Sequence, residues 1–214
     1  VRLKPLAGFL ARFLLIFLLL EAPWPGLDRA YAASFRAAGN LVFGRLSPTT
    51  SVRFIERAAF SPADMPPGAQ LPPECRTADT IVELRSRPNA AAWAVAWRPM
   101  GPAAIGYAPT AFLLALIAAT PLSGARRWRA LVGGLLLVNL YVCARVLLAL
   151  VWAFSGHTPF ALFMPGPLAW RALDTATDVL VTSFAGCYAV PVAIWLLVAV
   201  QRSDWIDAAV DAVD

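Results

Sequence analysis

Four residues of this chain raise a question of chemistry: Arg145, Cys143, Cys187 and His157. Arg145 stands in NLYVCARVLLALVW, residues 139–152, a run that is otherwise made for lipid. A charged side chain at mid-membrane costs roughly 2.5–3.5 kcal/mol on insertion scales, so something must offset it. A cysteine nucleophile needs a cation or base beside it to lower its pKa. Within one helix Arg145 cannot serve Cys143, because two residues amount to about 200° and the side chains leave opposite faces. Tyr141 shares the face of Arg145, and Asn139 that of Cys143. Cys187 lies about as deep as Cys143 in a separate apolar run, so the two thiols could approach, which suits packing more than catalysis. If the chain is an enzyme, Arg145, His157, Cys143 and Cys187 are its catalytic candidates.

Carboxylates offer the arginine a partner. Arg145 lies nine residues before Phe154, roughly 13 Å below that end of its helix, and its stem can snorkel outward. Asp174 and Asp178 stand near the start of the next apolar run, and Glu21 near the end of the first. An intramembrane polar cluster of Arg145, Asp178, Asp174 and Glu21 is therefore expected, with Arg145–Asp178 as its main pair. Such a pair can lock helices or serve a function, and both readings stand. A single histidine excludes a multi-histidine metal site, and Cys75, Cys143 and Cys187 form no C-x-x-C pair. No metal and no cofactor is expected.

The elements that must hold these residues are membrane elements. Of 214 residues 59% are hydrophobic and 14% charged, against about 25% charged in soluble domains. The net charge of +5 does not point to nucleic acid, because loop placement accounts for the basic excess. Residues 1–24 read as a first transmembrane helix. A charged start before an apolar run also has the form of a signal peptide, but the run is long and EAPWPG stops it abruptly, which favours a retained helix. Residues 25–102 read as an extracytoplasmic unit. An amphipathic helix over 27–46 comes first. A small antiparallel β element over about 48–100 follows, split by the proline-rich SPADMPPGAQLPPE. In AAWAVAWR the alternation puts Trp93, Val95 and Trp97 on one face, a candidate partner-binding surface. Residues 103–122, 130–154 and 179–200 read as three further spans. Residues 155–178 form an outer loop with proline and glycine breaks, and 201–214 a cytoplasmic tail. Arg2 and Lys4, the arginines of SGARRWRA and Arg202 then share one side, which the positive-inside rule makes cytoplasmic. The expected fold is membrane α-helical, with about four transmembrane helices and a small extracytoplasmic antiparallel β element. It lies in a bacterial inner membrane with both termini in the cytoplasm.

The stretch AFLLALIAATPLSGARRWRALVGGLLLVNLYVCARVLLAL resembles the exosortase/archaeosortase group of membrane proteins and their small associated membrane proteins. The shared pattern is a helix, an arginine-rich turn, then a helix with Asn and Arg before an outer-facing His. The resemblance implies protein sorting by cleavage and transfer of C-terminal signals, and assigns Arg145 and His157 to the family's Arg and His. It fails at the nucleophile, since no cysteine lies between Ala78 and Val142. The Asn139–Arg145 spacing is longer than the family's, and four spans are fewer than its enzymes have. The resemblance therefore implies an exosortase-associated accessory protein bound to membrane lipid and to a membrane-protein partner. A divergent cysteine transpeptidase is the alternative. A small transporter has little to support it, with one clear buried charge and no repeat.

Overall fold

A computed structural model describes residues 3–44, 50–60, 65, 72–86, 94–155 and 164–199. The elements are helices α1 (Leu3–Glu21), α2 (Trp24–Phe43), α3 (Ala108–Ala119), α4 (Gly124–Ala153), α5 (Pro167–Thr177) and α6 (Phe184–Ala199) and a sheet of β1 (Thr50–Glu56), β2 (Thr80–Ser86) and β3 (Ala94–Met100). Helix α4 is long and apolar enough to cross a membrane. Two bent pairs of helices have the composition of spans when each is taken together, one through α1 and α2 at 78° and one through α5 and α6 at 80°.

Helices α1, α3, α4 and α6 pack on one another. Leu113, Ile117, Ala130, Val138 and Ile194 form the buried core of that bundle. The sheet is antiparallel in the order β1-β2-β3, as the period-2 patterns predict. Alternation divides its side chains between two cores. Val52, Phe54, Val82, Leu84 and Met100 face Val146, Leu150 and Phe154 at the end of α4, with Phe43 of α2 completing the cluster. Ile81 and Trp97 face the other way and bury Cys75. The sheet thus sits over the last two turns of α4.

The outer edge of β1 is closed by a side chain of α2. The Asn40 carboxamide donates to the Phe54 carbonyl (3.0 Å) and accepts from the Phe54 N–H (2.8 Å), replacing the strand that β1 lacks. The approach is close enough that a Cβ on Gly39 would lie 2.8 Å from the Phe54 ring.

Four expectations are corrected. The stretch 155–178 is not only loop, because α5 occupies Pro167–Thr177. Pro167 opens that helix, at a position where its missing N–H has no partner to lose. The arginines of SGARRWRA lie in the first turns of α4, which begins six residues before the predicted span at 130, since a helix can outrun its apolar stretch. The predicted span at 103–122 is helical only over Ala103–Ala119. Its first five residues, Ala103–Tyr107, form a π-helical turn. The span at 179–200 is broken: a π-helical turn at Asp178–Thr182 ends at Ser183, whose backbone is extended (ψ 145°), and α6 starts afresh.

Candidate functional site

The two π-helical turns meet at Arg145, which is 2% exposed. Its Nε donates to the Leu180 carbonyl (2.7 Å) and its Nη2 to the Val181 carbonyl (3.0 Å). Its Nη1 donates to the carbonyls of Ala104 (3.2 Å) and Ile105 (2.9 Å). Nη2 also reaches Cys187 Sγ at 3.4 Å, and the Tyr141 ring lies 5.6 Å from the guanidinium carbon.

The local sequence explains why those carbonyls are free. Pro109 has no N–H to give the Ile105 carbonyl, four residues earlier, and the Ala108 N–H, which an α-helix would give to Ala104, bonds the Ala103 carbonyl in the π-helical turn. On the other side the break at Ser183 removes the donors that an unbroken helix would supply to Leu180 and Val181. Four backbone acceptors are thus orphaned inside apolar packing, and a guanidinium carries five donors in a planar fork. The arginine bonds two carbonyls from each broken helix. Ser183 closes the remainder: its Oγ donates to the Val179 carbonyl (2.6 Å) and accepts from the Gly186 N–H (3.2 Å) as the cap of α6. Tyr141 Oη donates to the Gly186 carbonyl (2.6 Å). Gly186 is required here, because a Cβ would lie 2.7 Å from the carbonyl oxygens of both Leu180 and Val179.

The expected carboxylate partner is overturned. The guanidinium is bonded to backbone carbonyls and a thiol, and Asp178, Asp174 and Glu21 are not among its partners. Asp178 offers its own carbonyl to the Ser183 N–H (2.8 Å). Asp174 Oδ1 accepts from Trp152 Nε1 at 3.3 Å. Glu21 ends α1 with Oε1 buried and without a hydrogen-bond partner among the described residues. Beside it, the Tyr107 hydroxyl donates to the Leu20 carbonyl.

The cysteines separate as the helical angle predicts. Cys143 is exposed and lines a groove with Asn139 and residues of α2, away from Arg145. Cys187 lies against Arg145 and donates to the Ala104 carbonyl at 3.5 Å. His157 and Trp93 lie outside the described residues. Val95 and Trp97 are on one face of the sheet, as predicted. Trp97 is 5% exposed and packs edge-on to Phe60 at 5.9 Å, so the chain itself covers it. Among the described residues no group of acidic, histidine or cysteine side chains could hold a metal ion. Tyr141, Ser183 and Gly186 were missed as parts of the site, although Pro109 carried the signal for its orphaned carbonyls.

Comparison with models of known protein families, with curated proteins and with solved structures gives no match to this chain.

Proposed function

We propose that this chain is a non-catalytic, integral inner-membrane accessory protein that binds a membrane partner of an exosortase-like protein-sorting system. The engagement of Arg145 carries this reading. Its donors are committed to carbonyls that the fold itself orphans, and the Cys187 thiol beside it is spent on the Ala104 carbonyl. The arginine thus locks two broken helices, and its burial is explained without a substrate.

In the proposed arrangement of four spans with both termini in the cytoplasm, α4 is the helix long and apolar enough to cross alone. Arg126 and Arg145 are separated by about 29 Å along α4, one hydrocarbon thickness. Helix α1 is about 28 Å long, α6 about 24 Å, and α3 with its π-helical turn about 25 Å. In this arrangement the arginines at the start of α4 mark the cytoplasmic boundary. Arg145 and the two helix breaks mark the outer one, and the sheet stands outside. The assignment to exosortase-type sorting rests on the resemblance of residues 111–150.

The test is purification of the tagged full chain from its native membrane in mild detergent. A membrane sorting enzyme or a protein carrying a C-terminal sorting signal should co-purify. Purification of the chain alone after in-membrane cross-linking, with sorting intact in a deletion strain, contradicts the proposal. One observation favours a second reading, a divergent cysteine transpeptidase: the 3.4 Å contact between Arg145 Nη2 and Cys187 Sγ, which sets a guanidinium beside a thiol. That reading requires Cys187→Ser to abolish sorting.

A further inference from the structure

We infer that the cavity between the start of α2 and the end of β1 binds the phosphodiester of a membrane glycerophospholipid. The cavity measures about 960 Å³ and lies away from Arg145. Arg29 and Arg36 reach it from α2, Arg57 from the end of β1 and Arg76 from the short helical turn Pro73–Arg76. Three carboxylates share the lining, those of Asp28, Glu56 and Asp79. Four arginines against three carboxylates leave one positive charge, which matches the single negative charge of a phosphodiester.

The arginines divide by occupation. Arg36 is paired with Glu56 at 2.9 Å. Arg57 donates to the Arg76 carbonyl at 2.6 Å and so holds that turn against the cavity. Asp28 Oδ1 accepts from the Arg29 N–H at 2.7 Å. The guanidinium groups of Arg29 and Arg76 bond none of the described residues. They are two planar forks of the geometry that takes a phosphate oxygen pair. Phe60 and Met65 give the same cavity an apolar wall.

Position names the source of the phosphate. Helix α2 leaves α1 at 78°, so if α1 crosses the membrane, α2 runs close to its plane. Arg29 comes eight residues after Glu21, within about 12 Å of that exit. Leu27, Leu41 and Val42 of α2 are exposed, as on a helix that rests at an interface. Arg29 and Arg36 stand on the opposite, polar face of α2, the face that an interfacial helix turns toward the lipid phosphates.

The inference rests on the membrane placement proposed above. Release of the protein by alkaline carbonate would remove that placement, whereas a carbonate-resistant protein lacking the lipid adduct removes only the lipid site. For the direct test, the delipidated full chain in detergent is titrated with phosphatidylglycerol and read by native mass spectrometry. One saturable adduct is expected. Arg29→Gln combined with Arg76→Gln should weaken it about tenfold, the scale of losing two exposed charge-assisted contacts. Arg29→Lys with Arg76→Lys, which keeps the charge, should weaken it less and controls for folding. Diacylglycerol of the same acyl chains should not be retained, and inorganic phosphate should not displace the lipid. Unchanged affinity in the glutamine variant, or equal retention of diacylglycerol, overturns the site. Displacement by inorganic phosphate overturns the lipid as its ligand.

Discussion

Replacing Arg145 by alanine removes the donors of four buried carbonyls, at Ala104, Ile105, Leu180 and Val181. An orphaned buried acceptor costs about 1–3 kcal/mol, so four cost at least about 4 kcal/mol before relaxation. Two effects reduce this. The cation's own desolvation is relieved, and Tyr141 Oη already stands 3.4 Å from the Leu180 carbonyl. A net loss of about 3 kcal/mol is expected, which corresponds to roughly 6–12 °C in melting temperature for a chain of this size. Arg145→Lys should recover only part of it, because three donors on one point cannot bridge two helix breaks. Asp178→Ala should be additive with Arg145→Ala within about 0.5 kcal/mol, since the side chains share no contact. The assay is melting in detergent of both single variants and the double variant. Arg145→Ala melting within about 2 °C of the parent refutes the lock. Recovery of stability in the double variant restores an Arg145–Asp178 ion pair and refutes the carbonyl account.

Other variants probe the supports. Asn40→Ala opens the edge of β1 and should cost about 1–3 kcal/mol, with faster hydrogen exchange at the Phe54 amide as its local signature. Gly186→Ala forces a methyl against two carbonyl oxygens and should lower the melting temperature more than Gly26→Ala, where a Cβ meets nothing within 4 Å. Cys75 is fully buried, and burial, then the neighbouring Glu74, pushes its thiol above the ordinary range. Its thiolate therefore forms only at higher pH than in the unfolded chain. Maleimide at neutral pH should leave Cys75 unmodified until the protein is denatured, whichever side of the membrane Cys75 faces.

Much of the architecture is legible in the residues, for identifiable reasons. Alternation in TSVRFIE, TIVELRS and AVAWRPM carries the sheet, because one pleated face must be buried. The angle between Cys143 and Arg145 follows from helical geometry alone. What the residues conceal is where an apolar helix breaks. VLVTSFAGCYAV has the hydropathy of an unbroken span, and Ser183 alone gives little warning that the chain bends there. An acidic partner was expected for Arg145 because side chains are visible in a sequence, whereas carbonyls become acceptors only once the breaks exist. Pro109 was the accessible clue, since a proline near a helix start lacks the N–H that the carbonyl four residues earlier would use. Helix α5 was hidden by the opposite error, a proline taken as a break where it begins a helix.

The proposed role of this chain is to support sorting without performing its chemistry. Its most direct test is complementation of a deletion strain with the full chain carrying Cys143→Ser, Cys187→Ser and His157→Ala together, reading cleavage of the sorted substrates. The account predicts cleavage at the parental level, provided the variant accumulates in the membrane as the parent does. Loss of cleavage by a stably accumulated variant would contradict it and place at least one of Cys143, Cys187 and His157 in an active site.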